Sequence, residues 1–155
     1  MEEDEQRLLW RGDEQTEADV EHEVALAKIR EQHRAVLATA RADGTPQMSP
    51  VLTAVDEDGR VLISTRRTTY KVRNVRRDAR VWLCVLPDEF FGGWLQIDGR
   101  AEVLELPEAM PLLEQYYRQV SGEHPDWAEY REAMRTQQRV ILRVTVDRAG
   151  PKAHD

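Results

Sequence analysis

The chain has 155 residues, of which 41% are hydrophobic and 33% charged, and its net charge is −7. This length supports one domain with its own core, and the composition is too apolar for a disordered chain. No apolar run approaches the ~20 residues of a membrane-spanning helix, the chain opens with MEEDEQ, and it holds one cysteine, Cys84. These features argue against a membrane protein, a secreted protein and a thiolate metal site, and they predict a cytoplasmic location.

Charge is distributed unevenly along the chain. Residues 1–24 hold ten acidic residues and two arginines, whereas residues 66–80 hold seven basic residues and one acidic residue. We expect residues 1–18 to be an acidic, mobile leader and residues 19–150 to be the folded domain. The basic stretch indicates a local anion site, with a solvated helix surface as the alternative. Nucleic-acid binding is disfavoured because Tyr70 is the one aromatic residue in that stretch.

The hydrophobic pattern predicts a helix over 19–32 with Val20, Val24 and Ala27 on its apolar face and Leu26 and Ile29 as further candidates for that face. Six strands follow, with further helices between them. A short helix capped by Thr68 or Thr69 turns Val72, Val75 and Ala79 inward, and Pro107 opens another. Gly99 is expected to form a bulge or bend. The predicted strands cover residues 35–41, 47–55, 60–65, 80–86, 94–106 and 139–146. This order predicts a mainly β (α+β) domain, a small six-stranded antiparallel barrel with flanking helices.

Few residues in the sequence form a recognisable catalytic group. The four histidines are scattered, Cys84 lies inside an apolar strand, and the loops typical of nucleotide-binding proteins and hydrolases are absent. If the protein is an enzyme, the reactive atom belongs to a cofactor. Lys71 lies in the first turn of a predicted helix that follows Thr65, Thr68 and Thr69. A lysine, hydroxyl groups and free backbone N–H groups together are suited to binding a phosphate.

Three segments carry a resemblance to a known family. PQMSPV (46–51), Ser64-Thr65 and KVRNVRRDAR (71–80) resemble the split-barrel flavin and deazaflavin oxidoreductases, the superfamily of pyridoxamine 5′-phosphate oxidase. The segment YYRQVSGEHPDWAEYREAM (116–134) is similar to one branch, the actinobacterial enzymes that use the deazaflavin coenzyme F420. This resemblance implies a split barrel of the FMN-binding type, a homodimer with the cofactor at its interface, and hydride transfer from reduced F420 to a small organic acceptor.

The same resemblance implies which residues hold the cofactor. Trp94 would reach the tricyclic ring, often from the other subunit, and Asn74 would fix the phosphate loop without touching the ligand. No side chain is assigned a catalytic role, and no metal is expected. The residues implied beside the ring are Gln47, Met48, Ser49, Pro50 and Val51, and those implied at the phosphate are Ser64, Thr65, Thr69, Tyr70 and Lys71. Arginines that meet the anionic tail of the deazaflavin would come from Arg66, Arg67, Arg73, Arg76 and Arg77.

Two alternatives stay open. The same fold binds FMN in many relatives, and both ligands present a tricyclic ring and a phosphate. The other alternative is a non-catalytic protein that carries a flavin, a deazaflavin or a haem. Neither reading identifies the acceptor.

Overall fold

The computed structural model describes the backbone of residues 14–150 and the side chains of residues 22–150. The leader expected over residues 1–18 lies outside this part of the chain, apart from the start of the first helix. The helices are α1 (Glu14–Gln32), α2 (Tyr70–Arg77), α3 (Met110–Ser121) and α4 (Trp127–Thr136), and the strands are β1 (Arg34–Ala40), β2 (Pro46–Leu52), β3 (Ala54–Val55), β4 (Val61–Arg66), β5 (Arg80–Val85), β6 (Leu95–Leu104) and β7 (Arg139–Gly150). Among these residues no helix is long and apolar enough to cross a membrane.

The fold class is confirmed, but the described residues form seven strands where six were predicted, because the segment 47–55 is divided at Thr53. The N–H of Thr53 still donates to the carbonyl of His33, next to β1, at 2.6 Å. The next residue, Ala54, pairs with Leu62 on β4. The chain therefore changes its partner strand at Thr53, and the predicted strand becomes β2 and β3.

The sheet closes into a split barrel. Its strand order is β2-β1-β5-β6-β7-β4-β3, and every neighbouring pair is antiparallel. The two edge strands, β2 and β3, are separated in the chain by Thr53 alone. Two steps along the backbone span less than about 8 Å, so the sheet has to curl until its edges meet. No ladder joins β2 to β4 within the described residues, and this gap is the split.

The barrel interior is the main hydrophobic core. Helix α1 contributes Ala25, Leu26 and Ile29 to it, and α2 contributes Val72 and Val75, which confirms the predicted inner face of α2 at these two positions. Ala79, the third residue predicted on that face, lies beyond the end of α2 and is exposed. The predicted face of α1 was right for Leu26 and Ile29 and wrong for Val24 and Ala27. Val24 and Ala27 are exposed, and the side chain of Val20 lies outside the described residues. The buried face lies one to two residues further along the helix because α1 packs against β7 and β3.

Helices α3 and α4 pack against the outer face of β4 and β7 and form a second core. The residues buried there include Leu62, Leu113, Tyr130 and Ile141. The hydroxyl of Tyr130 donates to the carbonyl of Leu113 at 2.7 Å, which ties α4 to α3. Burial is the main cause that raises the pKa of Tyr130 to about 12.

Gly99 occupies the bulge that the sequence predicts. The register between β6 and β7 shifts between Asp98 and Gly99. A Cβ atom on Gly99 would lie 2.5 Å from the carbonyl oxygen of Thr145 and 2.8 Å from a methyl group of Val144. Glycine is required here because the neighbouring strand approaches too closely for any side chain.

Candidate functional site

The free edge of β2 faces the split. The N–H of Thr53 and the carbonyl of Thr45 both bond toward β1, and Pro50 has no N–H to offer its partner Val36. Along β2 the odd-numbered residues therefore bond to β1, and the even-numbered ones turn their backbone groups to the free edge. Since Pro46 and Pro50 lack an N–H, the donors at this edge are the amides of Met48 and Leu52.

The side chains of β2 divide between two faces. Those of Gln47, Ser49 and Val51 are half-buried and point inward, and Val51 packs against the barrel core. Those of Met48 and Pro50 point outward, and Met48 is 67% exposed. The five residues implied beside the ring thus lie on one strand, with their side chains divided between its two faces and a backbone edge open to a ligand.

Tyr116 on α3 bridges the split, and the sequence did not single it out. Its hydroxyl donates to the carbonyl of Leu52, at the end of β2, at 3.2 Å. The backbone N–H of Ser64 on β4 lies close to the hydroxyl oxygen of Tyr116. Burial raises the pKa of Tyr116, against the opposing effects of Arg139 and the Ser64 amide. The side chain of Ser64 is on the outer face of β4 with Leu62, so Ser64 reaches the split through its backbone.

Helix α2 begins at the edge of the split without a side-chain cap. Thr69 is the N-cap residue, but its hydroxyl donates to the carbonyl of Arg66 at 3.0 Å and lies 3.2 Å from the hydroxyl of Thr65. The first turn holds no acidic residue. The leading N–H groups of the helix therefore have no side-chain acceptor, and together with the helix dipole they favour an anion.

Lys71 carries the positive charge at this helix start. Its ammonium donates to the hydroxyl of Ser49 on β2 at 3.4 Å, which spans the distance between helix and edge strand. Burial lowers the pKa of Lys71, and the nearby charge of Arg139 lowers it further. Among residues 22–150 neither Lys71 nor Arg139 has a carboxylate partner. The side-chain partner of Arg139 is the neutral amide of Gln137. Two adjacent cations without a counter-ion form a site that an anion would neutralise.

Asn74 fixes this arrangement from beneath. Its side chain is buried and donates to the hydroxyl of Thr39 at 3.0 Å and to Oε1 of Gln47 at 2.9 Å. Arg77 donates to Oδ1 of Asn74 at 2.8 Å and to the carbonyl of Ala40 at 2.9 Å. Every polar atom of the Asn74 side chain is thus used inside the protein, which matches the positioning role expected for it.

The structure gathers most of the implied phosphate residues but not all. Thr65, Thr69 and Lys71 lie around the start of α2, together with Ser49, which was implied beside the ring, whereas Ser64 turns its side chain to the outer face of β4. Tyr70 is 66% exposed, with the guanidinium of Arg73 5.7 Å from its ring.

Trp94 lies elsewhere on the same chain. Trp94 precedes Leu95, which lies in the same row of cross-strand pairs as Val51. Asn74 binds Gln47, which lies in a different row. The two rows are four residues apart along β2, or about 13 Å. The start of α2 lies nearer to the row of Val51, since Lys71 contacts Ser49, two residues or about 7 Å along β2. Across the sheet, however, Trp94 precedes β6, which is three strand spacings, or about 14 Å, from β2.

Arg139 was also missed by the sequence. It opens β7, directly after a polar turn, where an arginine has no special signal. Its charge lies near enough to affect Lys71 because β7 pairs with β4, where Arg139 lies opposite Arg66. That pairing joins residues more than seventy positions apart, so no local pattern indicates it.

The segment that most resembles the deazaflavin branch builds a cluster of aromatic rings. Tyr117, His124, Trp127 and Tyr130 contact one another in all six pairs, with ring centroids 5.0 to 5.9 Å apart. The guanidinium of Arg118 lies 4.4 Å from the centroid of the Trp127 ring. Such contacts stabilise the packing of α3 against α4. The cluster supports the helix that carries Tyr116, and its rings hold one another together.

Over the part of the chain that the structure describes, the outer face of β2, β1 and β5 is apolar, with its β2 residues exposed and its β1 and β5 residues half-buried. Met48, Ala38 and Trp82 form one row across the three strands, and Pro50, Val36 and Cys84 form the next. The outer face of β6 and β7 is covered instead by ion pairs, among them Arg100 with Asp147 and Arg148 with Asp98.

Cys84 is half-buried on the apolar face, and burial raises the pKa of its thiol. A raised pKa keeps the thiol protonated and unreactive at neutral pH. Over the part of the chain that the structure describes, no three His, Cys, Asp or Glu side chains form a group able to hold a metal ion.

Comparison with known proteins identifies relatives of this site's framework. The model of the pyridoxamine 5′-phosphate oxidase family matches residues 21–152. A conserved hypothetical protein from Mycobacterium tuberculosis, Rv2991, superimposes with a TM-score of 0.69 at 23% identity, over 81% of this chain and 79% of that one. An F420 reductase superimposes with a TM-score of 0.60 at 23% identity, over 80% and 94%. General Stress Protein 26 from Bacillus anthracis gives 0.56 at 16% identity, over 80% and 88%. At these identities the structural likenesses establish the fold.

Proposed function

The chain belongs to the pyridoxamine 5′-phosphate oxidase family of split barrels, and from that premise we propose that it is a coenzyme F420-dependent oxidoreductase. In this proposal the enzyme is a reductase that uses F420H2 to reduce a small organic acceptor. The observation that carries the proposal is a pair of partly buried cations beside the start of α2, Lys71 and Arg139, neither of which has a carboxylate partner among residues 22–150.

The residues present fit a ligand that joins a phosphate to a tricyclic ring. A phosphate at the start of α2 would accept from the free N–H groups and from Lys71. The hydroxyls of Thr65 and Thr69 would donate to it only after turning away from their present partners, Thr69 and the carbonyl of Arg66. Lys71 already contacts Ser49, and Ser49 follows Met48, whose N–H faces the free edge of β2. A ring placed along this edge would receive the N–H of Met48, because the prolines on either side of it offer none.

The chain's own work is to bind, orient and exclude water. Lys71 and Arg139 would hold the phosphate, the β2 edge would fix the plane of the ring, and Tyr116 would keep the split at a constant width. A bound deazaflavin would supply the hydride. No side chain of this site is assigned proton transfer, and we expect the product's proton to come from solvent.

F420 is preferred over FMN for two reasons. The segment 116–134 resembles the deazaflavin branch, and a solved structure with this fold is an F420 reductase. FMN in the same site is the second candidate, since the phosphate and the ring are common to both ligands. A carrier without catalysis, for a flavin, a deazaflavin or a haem, is the third.

The apolar outer face supports a homodimer. Exposed apolar rows that cross three strands are typical of a covered surface, whereas ion pairs are typical of a solvated one. We propose that a second copy covers the face containing Met48, Ala38 and Trp82, with the cofactor at the interface. Trp94 would then act on the partner's site, since within one copy it lies away from Lys71.

The experiment is a fluorescence titration of the full chain with oxidised F420 and with FMN at equal concentrations. We expect micromolar binding of F420, weaker binding of FMN, and reduction of added acceptors by F420H2. In the variant Lys71→Ala the affinity for F420 should fall by more than about tenfold. The matched variant Arg30→Ala, which removes an exposed charge from α1, should leave it unchanged.

Each outcome selects one candidate. Tighter binding of FMN would replace the deazaflavin by a flavin. Binding of F420 without turnover of any acceptor would favour a carrier. Binding of neither ligand, or equal binding by wild type and Lys71→Ala, would overturn the proposed site.

A further inference from the structure

Two exposed phenylalanines lie on the loop that joins β5 to β6. Phe90 and Phe91 are 86% and 84% exposed, more than any other large hydrophobic side chain that the structure describes. Their rings contact each other edge to face, with centroids 4.9 Å apart. Single exposed apolar side chains are common, but two adjacent rings exposed to this extent form a patch that is typical of a binding surface. We refer to them as the phenylalanine pair.

The loop holds the phenylalanine pair in one place. Residues 86–94 form this β5–β6 loop. Near its start, Asp88 accepts from the guanidinium of Arg34 on β1 at 2.6 Å. At its tip, the N–H of Gly92 donates to the carbonyl of Glu89 at 2.9 Å, and a Cβ on Gly92 would lie 3.1 Å from the same carbonyl oxygen. The turn is therefore closed and tightly packed, and side chains held in advance bind a ligand with less loss of entropy.

The apolar outer face of β2, β1 and β5 continues into this loop. Leu52 pairs with Arg34, and the N–H of Leu86 donates to the carbonyl of Arg34 at 2.9 Å. These three residues form a third row at the end of the face, and both leucines are exposed. The loop ends at Trp94, which the proposed dimer assigns to the partner's site. The phenylalanine pair therefore lies at the rim of the surface that a second copy would cover.

The acceptor of the proposed reaction still needs a binding surface. In that proposal the phosphate takes the cations and the start of α2, and the β2 edge takes the cofactor ring. Transfer of a hydride requires the acceptor to lie against that ring at contact distance. The groups assigned to the cofactor leave the outer side of the acceptor without contacts, so that side has to be bound by residues from elsewhere. Exposed aromatic rings are suited to such a position.

We propose that the phenylalanine pair binds the acceptor, that it does so at the partner's site, and that the acceptor is a molecule with a flat, apolar conjugated ring. This inference rests on the proposed function and on its dimer. Aromatic rings attract one another edge to face or offset, at centroid separations of about 4.5–7 Å. Because its two rings are nearly perpendicular, the pair offers an acceptor both a ring face and a ring edge.

The first experiment measures binding of N-phenyl-1-naphthylamine, an uncharged aromatic probe whose fluorescence rises in apolar surroundings. The full chain is titrated with and without saturating F420, since bound F420 keeps the probe out of the cofactor's own ring site. We expect saturable binding that the double variant Phe90→Ala/Phe91→Ala weakens about tenfold. Equal affinities for this variant and wild type would overturn the proposal.

Two further variants are controls for this titration. Val24→Ala shortens an exposed apolar side chain on α1 and should bind the probe like wild type. Phe90→Leu/Phe91→Leu keeps apolar surface on the loop but removes the rings, so it should recover a small part of the lost affinity. Full recovery would contradict recognition of a flat ring.

Steady-state kinetics tests the same residues in the reaction, with menadione as the acceptor. Menadione takes a hydride from F420H2 and a proton from solvent and becomes its hydroquinone, and the second proton of F420H2 is released to solvent. In Phe90→Ala/Phe91→Ala the KM for menadione should rise about tenfold, while the affinity for F420 stays that of wild type. An equal loss of F420 affinity would place the pair in the cofactor site and overturn its assignment to the acceptor.

Mixed dimers show which copy the phenylalanine pair serves. Co-expressed Lys71→Ala and Phe90→Ala/Phe91→Ala chains should recover menadione reduction at low F420H2 concentration, because one site of a mixed dimer then has its lysine and the partner's intact pair. No recovery would refute action at the partner's site. Pair-dependent pelleting with phosphatidylcholine vesicles, without pair-dependent probe binding, would overturn the proposal in favour of a lipid surface. Pair-dependent probe binding by a protein that binds no F420 would refute the proposed function and leave aromatic binding by this loop standing.

Discussion

Asn74 on α2 donates a 2.9 Å hydrogen bond to Oε1 of Gln47 on β2, so the helix that carries Lys71 is tied to the strand that carries Ser49. The same amide nitrogen also donates to Thr39 on β1. One buried side chain therefore joins the basic helix to two adjacent strands. The anion site and the free edge of β2 are consequently held as one unit.

Replacing Asn74 by alanine should separate that unit. The change leaves Thr39, Gln47 and Arg77 without a shared partner, which we expect to cost about 1–3 kcal/mol of the free energy of unfolding. Urea denaturation of Asn74→Ala measures this, with the exposed Gln96→Ala on β6 as the control. F420 affinity should fall as well, because Lys71 loses its fixed position. Stability equal to that of the control would contradict the role given to Asn74.

Removing the charge of Lys71 should have opposite effects on stability and on binding. The folded-state pKa of Lys71 is below its ordinary value of 10.5, because burial and Arg139 disfavour the charge. Between these two values the unfolded chain binds more protons, so the free energy of unfolding rises with pH across that interval. Below the folded-state pKa the charged lysine reduces stability by a constant amount.

Without ligand, the variant Lys71→Met should therefore be more stable than wild type at neutral pH. In alkaline solution its free energy of unfolding should rise less with pH than that of wild type. Its affinity for a phosphate ligand should be much lower. Thermal unfolding at neutral and alkaline pH tests this, with Arg30→Met on α1 as the control. A ligand-free Lys71→Met that is less stable than wild type would show that another anion already neutralises this lysine.

Alanine at Gly99 should strain the bulge between β6 and β7. The added Cβ would lie 2.5 Å from the carbonyl oxygen of Thr145, a backbone atom that cannot rotate away. We expect a loss of about 1–3 kcal/mol in the free energy of unfolding, as for other overpacked sites. Gly150 is the matched control, since it ends the same pair of strands and a Cβ there meets nothing within 4 Å. Similar results for Gly99→Ala and Gly150→Ala would mean that the strands separate without cost.

The bridge made by Tyr116 can be tested against its neighbour in the chain. Tyr116→Phe removes the hydroxyl that joins Leu52 to the Ser64 edge, which should cost about 1 kcal/mol and reduce the protection of backbone amides on both sides of the split. Tyr117→Phe keeps the ring in the aromatic cluster and should leave both properties unchanged. Denaturation and amide hydrogen exchange measure the two effects. Equal behaviour of the variants would exclude the bridge.

A charge on the apolar outer face should prevent dimerisation. Ala38 lies between Met48 and Trp82 in the middle of that face. In the proposed dimer, Ala38→Arg would bury an unpaired charge, and sedimentation should show a monomer with little cofactor affinity. Ser121→Arg, at the exposed end of α3, should remain dimeric. A wild-type protein that sediments as a monomer would refute the dimer directly.

Local patterns in the sequence were sufficient for most of the architecture. Alternating hydrophobic residues predicted the strands, and Gly99 predicted the bulge, because each depends on neighbours in the chain. The switch at Thr53 was missed since both partner strands suit the same residues. The proximity of Arg139 to Lys71 was missed because it depends on β7 lying beside β4. The resemblance over 116–134 indicated a branch, while the contacts show that its rings pack against one another.

The single residue between β2 and β3 also affects how the protein behaves among its own copies. An open sheet exposes an unpaired edge at each side, and such edges recruit strands from other molecules into aggregates. Here the two edges are brought face to face across the split, and one of them carries Pro46 and Pro50, which cannot extend a ladder. The unpaired backbone is thus accessible to a flat small molecule and closed to a polypeptide strand. The split, which in the proposed function holds the ring of the cofactor, is thereby also protected from aggregation.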